Sequence, residues 1–146
     1  MRARTKPSSQ DLYFIGRAYY FTENYAKADS SFIKLATAQP KLIVGEWWLA
    51  RSKAAQDPES EKGLAKPYYE KLIEKATAGD VTKAKVELTE AYSYLGYYHY
   101  LKGDLKTSKP YWEKVLAIDP ANEKAKTAVK SINELIKRGT APKKTS

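Results

Sequence analysis

Apolar residues recur along the chain at the three- and four-residue spacing of an amphipathic helix, as in Leu12, Ile15 and Tyr19, or Leu95, Tyr98 and Leu101. The intervening positions are rich in Ala, Lys and Glu, which favour helix, and the breakers fall between periodic segments. The pattern predicts helices over 9–22, 25–38, 43–56, 63–76, 82–102, 105–117 and 121–137. Turns are expected at Glu23-Asn24, Asp57 to Lys62, Ala78 to Asp80, Gly103-Asp104 and Asp119-Pro120. Val and Ile are sparse and never alternate with polar residues, so no strand is expected.

The chain also echoes itself. Lys66-Pro67-Tyr68-Tyr69-Glu70-Lys71 and Lys109-Pro110-Tyr111-Trp112-Glu113-Lys114 agree at five of six places, 43 residues apart. Gly16 and Gly96 each follow a large aliphatic residue and precede a tyrosine-rich stretch. Mid-helix glycine costs up to about 1 kcal/mol, so its recurrence beside an aliphatic residue points to close approach of a neighbouring helix. Pro67 and Pro110 fall near the first turns of their predicted helices, where proline is best tolerated. A shared bend and a late helix start both explain them.

The spacing of these echoes resembles the tetratricopeptide repeat, a helical hairpin of about 34 residues with the pattern W-x2-L-G-x2-Y, then A-x3-F, then P. The first unit carries Leu12, Ile15, Gly16 and Tyr19, then Ala28 and Phe32, then Pro40. The third carries Tyr92, Leu95, Gly96 and His99, then Ser108 and Trp112, then Pro120. In the second, Leu49 and Ala50 stand 34 residues after Ile15 and Gly16, but Ala65 and Tyr69 stand 37 after Ala28 and Phe32. Three extra residues therefore lie in the turn around Asp57 to Ser60, and nine more lengthen the start of the third unit over Val81 to Leu88. Glu46 and Lys53 replace large apolar residues of the pattern, with Trp47 or Trp48 available to fill the gap, and Thr77 replaces the proline.

The resemblance implies an all-α fold, an α-α superhelix of three such hairpins plus a C-terminal capping helix. The expected organisation is a flexible basic segment at 1–8 and a repeat domain at 9–137, followed by a disordered basic tail at 138–146. The repeat units fall at about 9–42, 43–79 and 80–120, with the capping helix at 121–137. That last helix aligns Ala125, Ala128, Val129, Ile132 and Ile136 on one stripe, with Lys124, Lys126, Lys130, Asn133 and Lys137 opposite, as a terminal cap should. The first helix is apolar nearly all round, from Leu12 to Phe21, and such a helix is normally covered on both sides. Preceding repeats in a longer protein, or self-association through the first hairpin, would cover it. The chain resembles the C-terminal part of longer bacterial tetratricopeptide proteins, which favours the first.

Charge narrows the function. The net charge is +9, but Arg2, Arg4, Lys6, Lys137, Arg138, Lys143 and Lys144 supply seven, leaving +2 on residues 11–136. A nucleic-acid surface would cluster its basic side chains on a folded face, so that partner is disfavoured. There is no cysteine and one histidine, His99, at the place of a packing aromatic, so no metal or thiol site is read. No carboxylate pair is spaced for acid–base work and the glycines occur singly, so no catalytic residue and no cofactor is assigned. No apolar run approaches the length of a membrane span, and the sequence does not decide between cytoplasm and periplasm.

What remains is an aromatic surface: 12 tyrosines and three tryptophans exceed what three hairpins need for their core. In the family the first helix of each hairpin lines a concave groove. Carried onto this chain, that face comprises Tyr13, Arg17 and Tyr20, then Trp47 and Arg51, then Ser93, Tyr97 and Tyr100. Tyr, Trp and Arg are the residues enriched at binding hot spots. The leading expectation is a protein-interaction scaffold for a peptide or partner protein, with Arg17 and Arg51 suited to carboxylates. The full Lys and Asn set with which other repeat proteins grip a terminal carboxylate is absent. A glycan or small-ligand groove, and a non-binding structural fragment of a longer repeat protein, are the alternatives.

Overall fold

The structure, a computed structural model, describes residues 6–139. Most of the two basic segments expected at 1–8 and 138–146 therefore lies outside the described residues. Seven α-helices and one 3-10 helix make up the described residues, without a strand. They are α1 (Ser9–Phe21), α2 (Tyr25–Ala38), α3 (Val44–Ala55), α4 (Lys66–Ala78), the 3-10 helix Val81–Ala84, α5 (Lys85–Leu101), α6 (Leu105–Ile118) and α7 (Glu123–Arg138). The chain divides into two compact units, Met1–Lys75 and Ala76–Ser146.

In the first unit, Ser8 starts α1 with a capping box. Its hydroxyl accepts from the Asp11 N–H at 3.1 Å, and its own N–H donates to the Asp11 carboxylate at 2.9 Å. A three-residue turn then returns the chain as α2, with Glu23 at φ 61°. The hairpin closes where Gly16 meets Phe32: a Cβ on Gly16 would sit 2.5 Å from the ring, so only a bare Cα admits the fully buried phenyl. Gly45 does the same between α2 and α3, where a Cβ would lie 2.7 Å from the Ala36 backbone. The outer side of α1 stays open, with Phe14 and Ile15 exposed.

The polar departures from the repeat pattern prove to be paired. Glu46 is buried and meets the Lys75 ammonium at 2.6 Å; Lys53 meets the buried Asp29 at 2.9 Å. Gln56 adds a hydrogen bond to the same Asp29 oxygen at 2.9 Å. Ion pairs thus take the places of apolar contacts, each joining α3 to a neighbouring helix. The extra residues before α4 wrap around the buried Asp57, whose carboxylate accepts from the N–H groups of Lys62, Gly63 and Leu64 at 3.3, 2.8 and 3.2 Å. This loop occupies part of the predicted fourth helix, which begins at Lys66 instead of 63 and leaves Pro67 in the first turn.

In the second unit the Asp80 carboxylate accepts from the Thr82 N–H and opens the 3-10 helix, so α5 begins at Lys85 and not at 82. Gly103, at φ 78°, turns the chain into α6, capped by Asp104 through the Thr107 N–H at 3.2 Å. The Thr107 side chain, and after it this backbone hydrogen bond, hold the Asp104 carboxyl below the usual aspartate range. Gly96 meets Trp112 as Gly16 meets Phe32: a Cβ would lie 2.6 Å from the indole nitrogen. The Ser108 hydroxyl donates to the Gly96 carbonyl at 2.6 Å, fixing the same crossing. Pro110 lies inside α6 and Pro67 at the start of α4, so the repeated Lys-Pro motif serves two different local structures. Helix α7 opens on the Asn122 cap, packs Ala125 and Ile132 into the core, and ends on left-handed Gly139.

Two stability outcomes follow. Gly96→Ala should destabilise the chain by about 1–3 kcal/mol through overpacking, despite a helix-propensity gain of up to about 1 kcal/mol. A lowered urea midpoint, restored in part by adding Trp112→Leu, checks it. Lys75→Ala, which strands the Glu46 charge, should cost about 3 kcal/mol, whereas the double change Glu46→Leu/Lys75→Met should be near neutral by the same assay.

Candidate functional site: an aromatic–arginine cluster

Trp48 organises the first unit. It lies 5% exposed on α3 and stacks on Phe32 at 5.8 Å between centroids, with the planes inclined by 26°. Around it stand the edges of Tyr13 at 6.4 Å, Tyr20 at 5.4 Å and Phe21 at 6.0 Å, all from α1. Trp47 tilts against it at 5.9 Å. Tyr13 and Tyr20 stand seven residues apart, about two turns, with Phe21 next to the second, so all three reach α3 from one side of α1.

Two guanidinium groups lie on this cluster. Arg17 sits 5.2 Å from the Tyr13 centroid, 5.2 Å from Trp48 and 5.7 Å from Phe21. Arg51 sits 4.4 Å from Trp47 and 4.9 Å from Trp48. Such contacts contribute about 0.5–2 kcal/mol each, depending on how dry they are. The Arg17 Nε–H is buried and finds no acceptor, and among the described residues no carboxylate pairs with this guanidinium. The edge of the cluster is extended by Tyr25, 6.0 Å from Tyr20; desolvation, then Glu23 and Tyr20, raises its phenol above the ordinary tyrosine value.

The structure therefore brings together five of the eight residues singled out from the sequence: Tyr13, Arg17, Tyr20, Trp47 and Arg51. At their centre stands Trp48, which the sequence offers only as one of two candidates to fill a packing gap. Helical periodicity puts adjacent residues about 100° apart, and it cannot say which of two consecutive tryptophans turns inward. The remaining three lie on α5 in the second unit. Tyr97 is exposed and lines a cavity with Tyr100, while the half-buried Ser93 is not part of its lining. His99 packs instead, its ring parallel to Tyr111 at 5.8 Å and its Nδ1 3.9 Å from Asp104. Among the described residues no group of three His, Asp or Glu is placed to hold a metal ion, and no helix is long and apolar enough to cross a membrane.

Known proteins share the helical-hairpin fold. The family model of the tetratricopeptide repeat matches residues 12–42 and 89–122, the two hairpins closed by Gly16–Phe32 and Gly96–Trp112. The chain carries tetratricopeptide repeats. The crystal structure of the C-terminal part of a TPR repeat-containing protein from Cytophaga hutchinsonii is 44% identical over 87% of this chain, with a TM-score of 0.82. The chain spans about half of that fragment, 49% of its length. The first TPR of Spaghetti (RPAP3), solved bound to the HSP90 peptide SRMEEVD, has a TM-score of 0.65 at 19% identity, covering 88% of this chain and 95% of that one. At that identity the likeness is one of fold. No curated protein matches the chain. The middle hairpin, which no repeat model matches, is the one that carries the buried ion pairs and the loop around Asp57.

The two adjacent tryptophans of that hairpin should differ sharply on truncation. Trp48→Ala removes the centre of the cluster and should cost about 3–5 kcal/mol. Trp47→Ala, at a half-buried position, should cost clearly less. Thermal unfolding followed by circular dichroism separates the two.

Proposed function

We propose that the chain is a protein-interaction scaffold whose partner lies against the aromatic–arginine cluster of the first unit. Tetratricopeptide repeats generally mediate protein–protein interaction, and the bacterial relative belongs to the same repeat class. The observation that carries the reading is the pair of guanidiniums laid on the Trp47–Trp48 surface, with the Arg17 Nε–H desolvated and lacking an acceptor. An unmet buried donor costs about 1–3 kcal/mol, and a carboxylate delivered by a partner would relieve it with a charge-assisted bond. The aromatic edges beside it suit apolar side chains. The reading therefore favours a peptide in which acidic and apolar residues neighbour one another. Tyr97, Tyr100 and Ser93 of α5 are the residues proposed for contact on the second unit. A TPR neighbour of the same fold holds an acidic peptide, SRMEEVD, which makes that sequence a useful member of a test panel.

The test is fluorescence anisotropy with labelled acidic–apolar peptides, SRMEEVD among them, each beside a version with Glu and Asp changed to Gln and Asn. Acidic members should bind, and the Arg17→Ala/Arg51→Ala variant, confirmed helical, should bind about tenfold or more weakly. Binding by neither set, or equal binding by the variant, would sink the proposal. Tyr20→Ala is a poorer probe, because that ring also supports Trp48.

A further inference from the structure

The second unit holds a cavity of about 200 Å³, of which the peptide reading uses only Tyr97 and Tyr100. Tyr97 and Tyr100 of α5 form one wall, and the buried Trp112 of α6 closes it. The opposite wall is a single face of α7, made by Lys124, Thr127, Ala128 and Ser131. These four fall at three- and four-residue intervals and extend about 10 Å along the helix. The pattern of apolar positions places Lys124 opposite the apolar stripe of a capping helix, and the residue is exposed. Its ammonium also lies 5.9 Å from the Trp112 ring, and the residue lines the cavity.

Size and charge select the ligand. Drug-sized ligands occupy pockets of roughly 300–1,000 Å³, so this one is too small for them. An apolar cavity of about 150 Å³ accepts a benzene ring, so the present one has room for a ring or branched alkyl group plus one small polar group. Among the described residues Lys124 is the only charged one lining it, and none of their ion pairs involves its ammonium. A cation would be repelled. A neutral hydrocarbon would partly dry the ammonium without pairing it, which is unfavourable. A phosphate would call for more cationic donors than one. The hydroxyls of Thr127 and Ser131 and the phenols of Tyr97 and Tyr100 supply neutral donors for a single anionic group.

We infer that this cavity binds a compact monocarboxylate with an aryl or branched-alkyl body, about the size of phenylacetate. The body rests between Trp112 and the tyrosine wall, and the carboxylate pairs with Lys124. This site shares no residue with the aromatic–arginine cluster, and its ligand is a free small acid.

Trp112 is the one tryptophan of the second unit, the others being Trp47 and Trp48, and its indole N–H is buried without an acceptor. Its resonance in the ¹⁵N-labelled full chain, assigned with Trp112→Phe, is therefore a local reporter. Titration with phenylacetate or 4-methylpentanoate should shift it saturably and leave the Trp47 and Trp48 signals in place. 2-Phenylethanol should act about tenfold more weakly, and 2-phenylethylamine not at all. Lys124→Gln, at an exposed position that should not disturb folding, should weaken the acid about tenfold, while Arg17→Ala/Arg51→Ala should leave the response intact. The inference is overturned if neither acid shifts Trp112, if alcohol and acid act alike, or if Lys124→Gln binds as well as the wild type. A response confined to peptides ending in a bulky residue, and absent with the free acids, also overturns it. The arginine variant keeps this outcome separate from the fate of the peptide proposal.

Discussion

Two helices can cross closely only where one of them gives up its side chain, and this chain depends on that constraint twice in the same form. Gly16 admits Phe32 and Gly96 admits Trp112, each aromatic lying sixteen residues after its glycine. The aromatic ring fills the space that the missing Cβ opens, so burial of a large side chain and close helix approach are one event. Gly45 extends the rule to the contact between α2 and α3, where it is the Ala36 backbone that draws near. Once these crossings are set, the faces of α1 and α5 that carry the tyrosines have their directions fixed by helical geometry. The candidate binding residues thus owe their placement to glycines that touch no ligand.

The middle hairpin reaches the same architecture by different chemistry. Where the repeat pattern calls for apolar side chains, it buries Glu46 with Lys75 and packs Lys53 onto Asp29. Pairs of this kind add little net stability over hydrocarbon, but they penalise any register that leaves one partner alone. The loop around Asp57 works similarly, since one buried carboxylate collects three backbone N–H groups that the chain would otherwise leave unmet. Departures from the sequence pattern here are replacements of one set of directed contacts by another.

Most of the fold was legible because it rests on short-range signals. Helical periodicity, the breakers and the glycine–aromatic spacing located seven helices, with shifts confined mainly to the starts of α4 and α5. Those shifts came from polar loop contacts, the Asp57 knot and the Asp80 cap, which periodicity does not encode. The candidate site was legible as a set of residue types on the first helices of hairpins, and five of them do gather. Its centre was not, because the choice between Trp47 and Trp48 depends on how α3 is rotated against α1 and α2. Lys124 is exposed, as its place opposite the apolar stripe implies, but its nearness to Trp112 was not legible, because a long side chain can keep its charge in water and still lie beside a ring.

The stacking of Arg17 and Arg51 on the cluster has a consequence for the thermodynamics of recognition. A free arginine on a surface samples many rotamers, and ordering it on binding costs up to about 2 kcal/mol. Here both guanidiniums already lie against rings before any partner arrives, so much of that ordering belongs to folding. A ligand meeting them encounters a surface with little freedom left to lose, and complex formation at this face should carry a smaller entropic penalty than its long, charged side chains would suggest.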